Sequence, residues 1–465
     1  MTAPPWVLAG SAALVGGLLT GLVWPLGALF VIVISLVVVG VLAPAALLTL
    51  LVLSIPVQDA GSVDVGVGAL TATRLIVGAL VLSYGVNLAR GRAHPRLHWV
   101  GWAHALVIGT LVASVVSVVD PGLWASEVYR WAAAAAVFII ADDVLQRPNA
   151  RTAVIAVVGL GVIVASMVGL IQVVTVDGPP SYVAGGVLRA YATFGAPNTF
   201  AAYLELGLPL LAAVSVAGWK GGVEQNWLRW WCLAAASFGG VALLLTQSRG
   251  GLLGIGAAVG VVAFASSRNV RRTAVVLCVG LVAMLLLPVG DRITQPLGDL
   301  AAPSRGPEEV TPANWANHER SAHWGAGLRM MRQSPVSGVG AGHYNLRYRE
   351  HTPVWRFRIP RGHAHNGYIQ MGAQAGYPGF AAMMVFTAAL LITTARGVAY
   401  ARSPHERAVA IGALGIVVAF SVHSFVDYLN VLSLGLQLVV MVALVTAMSR
   451  RVMHHQPSHP AVIAR

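Results

Sequence analysis

The chain has 465 residues, 57% of them hydrophobic and only 10% charged, with a mean hydropathy of +0.74. A soluble domain carries about 25% charged residues, so these figures exclude a soluble globular protein and define an integral membrane protein. The formal charge of +13 comes from 30 basic residues, all arginine except Lys220, a bias that base composition alone can produce. The two cysteines, Cys232 and Cys278, fall in apolar runs and imply neither a disulfide framework nor a metal site.

Apolar segments long enough to span a bilayer fall near 6–23, 26–42, 43–57, 67–88, 99–118, 124–141 and 152–174. Others follow near 197–217, 230–247, 250–265, 273–289, 365–394, 408–427 and 430–448. The stretch from Met1 to Trp24 lacks a basic leader and reads as a first span rather than a cleaved signal peptide. Only Pro44 separates the second and third segments, and only the Ser248-Arg249 corner the ninth and tenth. The expected fold is therefore an all-α polytopic membrane protein with about 12–14 transmembrane helices and one long, partly helical outer loop. Its parts are an N-terminal bundle over 1–289, the loop over 290–364, C-terminal spans over 365–449 and a tail over 450–465.

Short loops on one side carry Arg90, Arg92, Arg96, Arg147, Arg151, Lys220, Arg229, Arg268, Arg271, Arg272, Arg396, Arg402, Arg407, Arg450 and Arg451. The opposite short loops offer Asp59, Asp64, Asp120 and Asp177. The positive-inside rule puts the first set and both termini in the cytoplasm, leaving the 290–362 loop outside. That loop holds ten arginines against six acids, but loops beyond about 60 residues escape the rule. Glycines such as Gly250, Gly251, Gly254, Gly256 and Gly260 read as small faces for close helix packing. No internal repeat suggests an inverted-repeat transporter.

Taken in order, the outer face gathers several polar features. Arg189, in Leu188-Arg189-Ala190-Tyr191, precedes a span; it binds an anion or snorkels to headgroups. Arg249, in Thr246-Gln247-Ser248-Arg249-Gly250-Gly251, is hemmed by apolar sequence, so its charge needs a polar cavity or a carboxylate such as Glu205. Trp324, Leu328 and Met331 recur at i, i+4 and i+7, predicting a helix on the membrane or against the spans that Arg320 opens. Behind it, Pro335 to Gly342 is a glycine-rich turn, a weak phosphate-binding signal because no strand precedes it.

The loop re-enters the membrane at Gly362-His363-Ala364-His365-Asn366-Gly367. A histidine in the first turn of a helix faces the positive end of the dipole, which disfavours imidazolium and leaves a neutral proton acceptor. Arg347, Arg349, Arg356, Arg358 and Arg361 precede it, and a neutral base beside permanent cations suggests an anionic, phosphate-bearing substrate. His365 is the candidate base and Asn366 marks the helix start. His363, two residues away, is expected to be accessory and unable to share that environment closely. His423 and Asp427, four apart, could share a helix face, with Asp427 orienting a histidine, contacting a sugar hydroxyl or bonding structurally. No Asp-x-Asp, His-Glu-x-x-His or Walker-type sequence is present, so a diphosphate leaving group would be stabilised by arginines.

These motifs, from Arg189 through Ser248-Arg249-Gly250-Gly251, Arg320 and the Pro335–Gly342 turn to His363-Ala364-His365-Asn366 and Gly376-Tyr377-Pro378-Gly379, resemble the O-antigen ligase and O-antigen polymerase superfamily of bacterial envelope glycosyltransferases. The resemblance implies a multi-pass inner-membrane enzyme whose site faces the periplasm. Its donor would be a polyprenyl diphosphate-linked glycan, used without cofactor or metal. Arg189, Arg249 and Arg320 would bind the diphosphate, and His365 would deprotonate the acceptor as it attacks, with inversion. The acceptor implied is lipid A–core for a ligase, which is slightly favoured, or a lipid-linked glycan for a polymerase. Some relatives glycosylate proteins instead. Membrane lipids are further partners and nucleic acid is not. The reading from another class is a transporter of lipid-linked glycans, which needs no base at a helix start and predicts polar residues along the whole path. The cytoplasmic halves of the spans are almost wholly apolar, which argues against it. A blander possibility is a structural membrane protein of the envelope, in which Arg249 would not matter.

Overall fold

Proline and short capping side chains set where most helices begin. Proline lacks the N–H that the first turn of a helix cannot pair anyway. A computed structural model of the chain describes residues 25–61, 63–64, 69–184, 186–218, 226–265, 310, 314–352, 355–431 and 433–450. In it α1 (Pro25–Leu42), α2 (Pro44–Ser54), α3 (Ala72–Ala89), α4 (Trp99–Ala113), α5 (Pro121–Val144) and α6 (Pro148–Thr175) come first. Next are α7 (Pro197–Glu205), α8 (Leu208–Gly218), α9 (Asn226–Thr246) and α10 (Arg249–Ala265). The loop contributes α11 (Trp315–Gln333) and α12 (Tyr344–His351), and α13 (Gly367–Ala399), α14 (Pro404–His423) and α15 (Leu434–Arg450) complete the described chain. Asp120 caps α5, accepting from the N–H groups of Gly122 and Leu123, and Ser403 caps α14 through the N–H of Glu406.

Among the described residues, eight helical stretches are long and apolar enough to cross a membrane, and four shorter apolar helices accompany them. Twelve of the fourteen expected segments coincide with these. The expected spans at 6–23 and 273–289, Lys220, Cys278, most of 290–313 and the tail beyond 450 lie outside the described residues. The only described strands are two hairpins of two-residue strands, Val63–Asp64 with Ala69–Leu70 and Val183–Ala184 with Val187–Leu188. The chain is an all-α polytopic membrane protein.

Small residues let the spans approach closely. A methyl group on Gly412 of α14 would lie 2.5 Å from the Leu210 backbone of α8. Gly251 and Gly254 of α10 would press side chains onto the Glu205 carboxylate, whereas Gly256 and Gly260 meet nothing within 4 Å. The packing expectation thus holds for part of the α10 glycine series only.

The loop helix α11 starts at Trp315, so Arg320 sits in its second turn and does not open it. Its buried positions are Asn317, His318, Ala322, His323, Ala326, Gly327, Met330 and Met331, a face that shares only Met331 with the expected Trp324–Leu328–Met331 stripe. It packs against α13. A small apolar core of Ala326, Met330, Val339, Tyr344, Tyr348, Ala364 and Ala373 ties the loop to the bundle.

The Pro335–Gly342 turn has a structural task. Helix α13 breaks at Ala375–Gly376, where Gly376 takes φ +68°, and Pro378 follows. Pro378 has no N–H, and the Tyr377 N–H turns away to the Pro335 carbonyl at 2.8 Å. The carbonyls of Ala373 and Gln374 therefore lose their helical partners. Val339 and Gly340 donate to them at 2.8 and 3.2 Å, and Gly342 donates to Gln374 Oε1 at 3.0 Å. A Cβ on Gly338 would lie 2.4 Å from the Ala373 carbonyl oxygen. These amides serve the helix break and are not left over for a phosphate, which gives the weak phosphate-binding signal of the turn a structural origin.

Candidate functional site

The site lies where the start of α13 meets the loop after α14. Asn366 is the N-cap of α13: its side chain accepts from the N–H groups of Tyr368 and Ile369 at 3.0 and 2.9 Å. Its Nδ2 donates to the Phe425 carbonyl at 2.9 Å, and Gly367 N–H donates to the Ser424 carbonyl at 2.7 Å. The capping residue thus staples α13 to the segment that carries Asp427. His365 precedes the cap and is not in the first helical turn. Its backbone is left-handed, with φ +50°, which costs a residue with a Cβ about 1–2 kcal/mol. Neighbours hold it there: Trp324 Nε1 donates to its carbonyl at 2.9 Å, and the His323 ring stands at right angles to its ring, centroids 5.2 Å apart.

His365 Nδ1 lies 3.3 Å from Asp427 Oδ1. A carboxylate only accepts, so Nδ1 carries the hydrogen and Nε2 keeps the lone pair a general base requires. Asp427 is fixed in turn, accepting from Asn198 Nδ2 at 3.0 Å through Oδ2 and from the Tyr428 N–H at 2.9 Å. Burial pushes the Asp427 carboxyl upward, but the hydrogen bond and charge of His365, with His363 and His423 beyond, more than offset this and hold it well below the usual range.

His363 does share this environment, contrary to expectation. Its ring centroid is 4.5 Å from that of His365, its Nδ1 is 3.9 Å from Asp427 Oδ1, and it accepts the His365 backbone N–H at 3.2 Å. The His365 N–H, bonded to the His363 ring, holds the i and i+2 side chains on one side of the turn. Burial lowers the His363 imidazole to about 4, Asp427 opposing and His365 and Arg320 reinforcing the shift. His323, to which the sequence assigns no part, is fully buried and lowered to about 3, by burial first and then by the charges of His365, His363 and Arg361. His363, His365 and Asp427 offer ligand atoms within 4.8 Å of one another, so the three could also hold a metal ion. The sequence motifs name no metal-ligating residues.

Helix α14 ends at His423, and Asp427 lies beyond it in the following turn, its N–H donating to the His423 carbonyl at 3.0 Å; the two side chains take different hydrogen-bond partners. His423 Nδ1 bonds Glu205 Oε2 at 3.1 Å, with both side chains 1% exposed. Glu205 is therefore the partner of His423 and makes no ion pair with Arg249.

Three arginines gather beside the histidines. Arg189 donates from Nε to the Thr246 carbonyl at 2.8 Å and from Nη2 to Asn198 Oδ1 at 3.1 Å. Asn198, nine residues after Arg189, thus bridges Arg189 to Asp427. Burial, then the charges of Arg320 and Arg249, hold the Arg189 guanidinium below its ordinary value. Arg249, exposed at the first residue of α10, sits at the corner made by left-handed Gln247. Arg320 is half-buried, and its Nε is enclosed without a hydrogen-bond partner. Among the described residues, none of the three makes an ion pair with a carboxylate. Four of the five arginines that precede the histidines in sequence are engaged elsewhere. Arg347 pairs with Glu350 and Arg361 with Glu319, while Arg356 and Arg358 lie over Trp315 and Trp355. The cation cluster comes from distant segments, not from the adjacent run.

The described helices thus bring a histidine–carboxylate pair next to three arginines whose charges oppose one another. Residues 234–384, about a third of the chain, match the family model described as O-Antigen ligase, and this supports assignment to the O-antigen ligase superfamily of membrane glycosyltransferases. The matched segment includes Arg249, Arg320, His363, His365 and Asn366, while Arg189, Asn198, His423 and Asp427 lie outside it. No curated protein matches the chain. Family and helices together make this a multi-pass inner-membrane protein.

Proposed function

We propose that the protein is an O-antigen ligase-like enzyme that moves a glycan from a polyprenyl diphosphate donor to a hydroxyl of lipid A–core on the periplasmic face, both termini being cytoplasmic. The observation that carries this reading is the group of three arginines without carboxylate partners beside a histidine whose Nε2 is left as an acceptor. Arg189, Arg249 and Arg320 bind the donor diphosphate and neutralise the charge that grows as the anomeric C–O bond breaks. The acceptor hydroxyl attacks the anomeric carbon from the opposite face, inverting it. His365 Nε2 takes the hydroxyl proton, the bonding pair leaves with the diphosphate, and Asp427 stabilises the imidazolium formed. In this reading the arginines supply the electrostatic stabilisation, and no metal is required.

The test uses purified protein, a radiolabelled polyprenyl diphosphate oligosaccharide, and reactions with and without lipid A–core, resolved on a gel. One step of label onto lipid A–core supports the ligase. A ladder of longer lipid-linked chains without that acceptor reassigns the protein as a polymerase. Neither product, with His365→Ala indistinguishable from wild type, sinks the enzyme reading and leaves transport of lipid-linked glycans as the successor.

A further inference from the structure

A second basic pocket lies beside the loop that bears Asp427. It is lined by Arg74 in the first turn of α3, by Ser126, Tyr129 and Arg130 of α5, and by Asn430 and Ser433 of the loop that also bears Asp427. Among its described lining residues there are two guanidinium groups and no carboxylate. The Arg74 guanidinium lies 5.9 Å from the centroid of the Tyr129 ring. Arg130 Nη1 is held by Glu127 Oε2 at 2.8 Å and by the Asn430 carbonyl at 3.1 Å. The other Glu127 oxygen accepts from the Tyr428 hydroxyl at 2.9 Å. The Glu127 carboxylate is thereby committed behind the pocket wall. The first turns of α3 and α15 border the cavity and add the positive ends of two helix dipoles.

The pocket is joined to the chemistry. Tyr428 follows Asp427, and its ring centroid is 5.7 Å from that of His363. One side of Asp427 leads through Asn198 to Arg189, and the other through Tyr428 and Glu127 to Arg130. A transfer between two substrates needs a binding surface on each side of its base. The free volume of about 50 Å³ is room for a few water molecules. That suits a single phosphate or carboxylate and is too small for a sugar ring.

We propose that this pocket binds an anionic substituent of the acceptor glycan, so that the acceptor is a phosphorylated or acidic saccharide anchored at Arg74 with its hydroxyl presented to His365. The proposal rests on the glycosyl-transfer reading above.

The test measures binding to nanodisc-embedded full-length protein. The probes are an acyl-anchored oligosaccharide carrying one phosphate monoester and the same compound after phosphatase treatment. The phosphorylated probe should bind at least ten-fold more tightly. That preference should persist in Arg189→Ala and disappear in both Arg74→Gln and Ser126→Asp, the second of which places a carboxylate in the cavity. No phosphate preference in wild type, a preference that survives both pocket variants, or one lost in Arg189→Ala overturns the proposal. Turnover of a polyprenyl diphosphate glycan is scored separately. Its absence in wild type defeats the transfer reading while the binding data still decide the pocket.

Discussion

Among the described residues, two histidine–carboxylate pairs of similar length occur in this bundle, and they contrast a fully buried bond with a partly exposed one. His423–Glu205 spans 3.1 Å with both side chains 1% exposed, wedged where Gly250, Gly251 and Gly254 leave room. His365–Asp427 spans 3.3 Å, but the imidazole is 19% exposed, at the end of a helix and beside three arginines. The first pair binds α7 to α14; the second leaves a ring nitrogen within reach of a substrate. The same pairing of imidazole and carboxylate thus sits in two environments that differ in exposure and in the charges that face it.

The largest expected effect is at the exposed pair. His365→Ala should lower transfer by about 10²- to 10⁴-fold, the usual worth of a general base, while the thermal unfolding curve in detergent stays near that of wild type. Loss of stability with transfer intact would erase the contrast. Glu205→Ala should behave oppositely, because it strands a buried histidine: stability falls by about 3–5 kcal/mol, and transfer per folded molecule stays within about threefold. A folded Glu205→Ala protein that is inactive would move the buried pair into the chemistry.

Arg320→Ala should reduce kcat by about 10²-fold, the scale of a single donor lost from a charge-stabilising site, and Arg347→Ala, whose arginine pairs with Glu350, should have little effect. Equal losses in both would mean that loop charge in general, and not the converged trio, is what matters.

A smaller effect concerns pH. His363 is lowered to about 4 and His323 to about 3 from an ordinary 6.5, so between pH 6.5 and 4 the unfolded chain binds more protons than the folded one. Stability therefore declines as pH falls through that window, by up to about 1.4 kcal/mol per pH unit for each ring. Asp427, held below the ordinary carboxylate range, keeps its full contribution above about pH 4 and loses it only below. Unfolding temperatures at pH 7 and pH 5 should differ less in His363→Asn than in wild type. The smallest expected effect is that of a chelator: EDTA should leave transfer unchanged, whereas a loss restored by added Zn²⁺ would recast His363, His365 and Asp427 as metal ligands.

Much of the fold is legible in the amino-acid sequence. Apolar runs long enough to span a bilayer identify helices because every backbone polar group in lipid must pair within its own segment. Proline at helix starts and Asn366 as a cap are local rules that need no tertiary information. Inferences from sequence neighbours fail where the fold intervenes. The arginine run before His365 is occupied by Glu319, Glu350, Trp315 and Trp355. His363 joins the cluster because its ring accepts the His365 backbone N–H. The glycine turn serves the broken helix α13.

The sequence by itself determined that this is an all-α membrane protein with a histidine at a helix entrance, because hydropathy, caps and prolines act within a few residues. Which carboxylate meets which histidine, and which arginines converge, was decided by the tertiary structure alone. Asp427 reaches His365 across 62 positions and Glu205 reaches His423 across 218. Hydrogen bonds and Coulomb forces depend on distance in space, and over such separations only the packing of the helices fixes that distance.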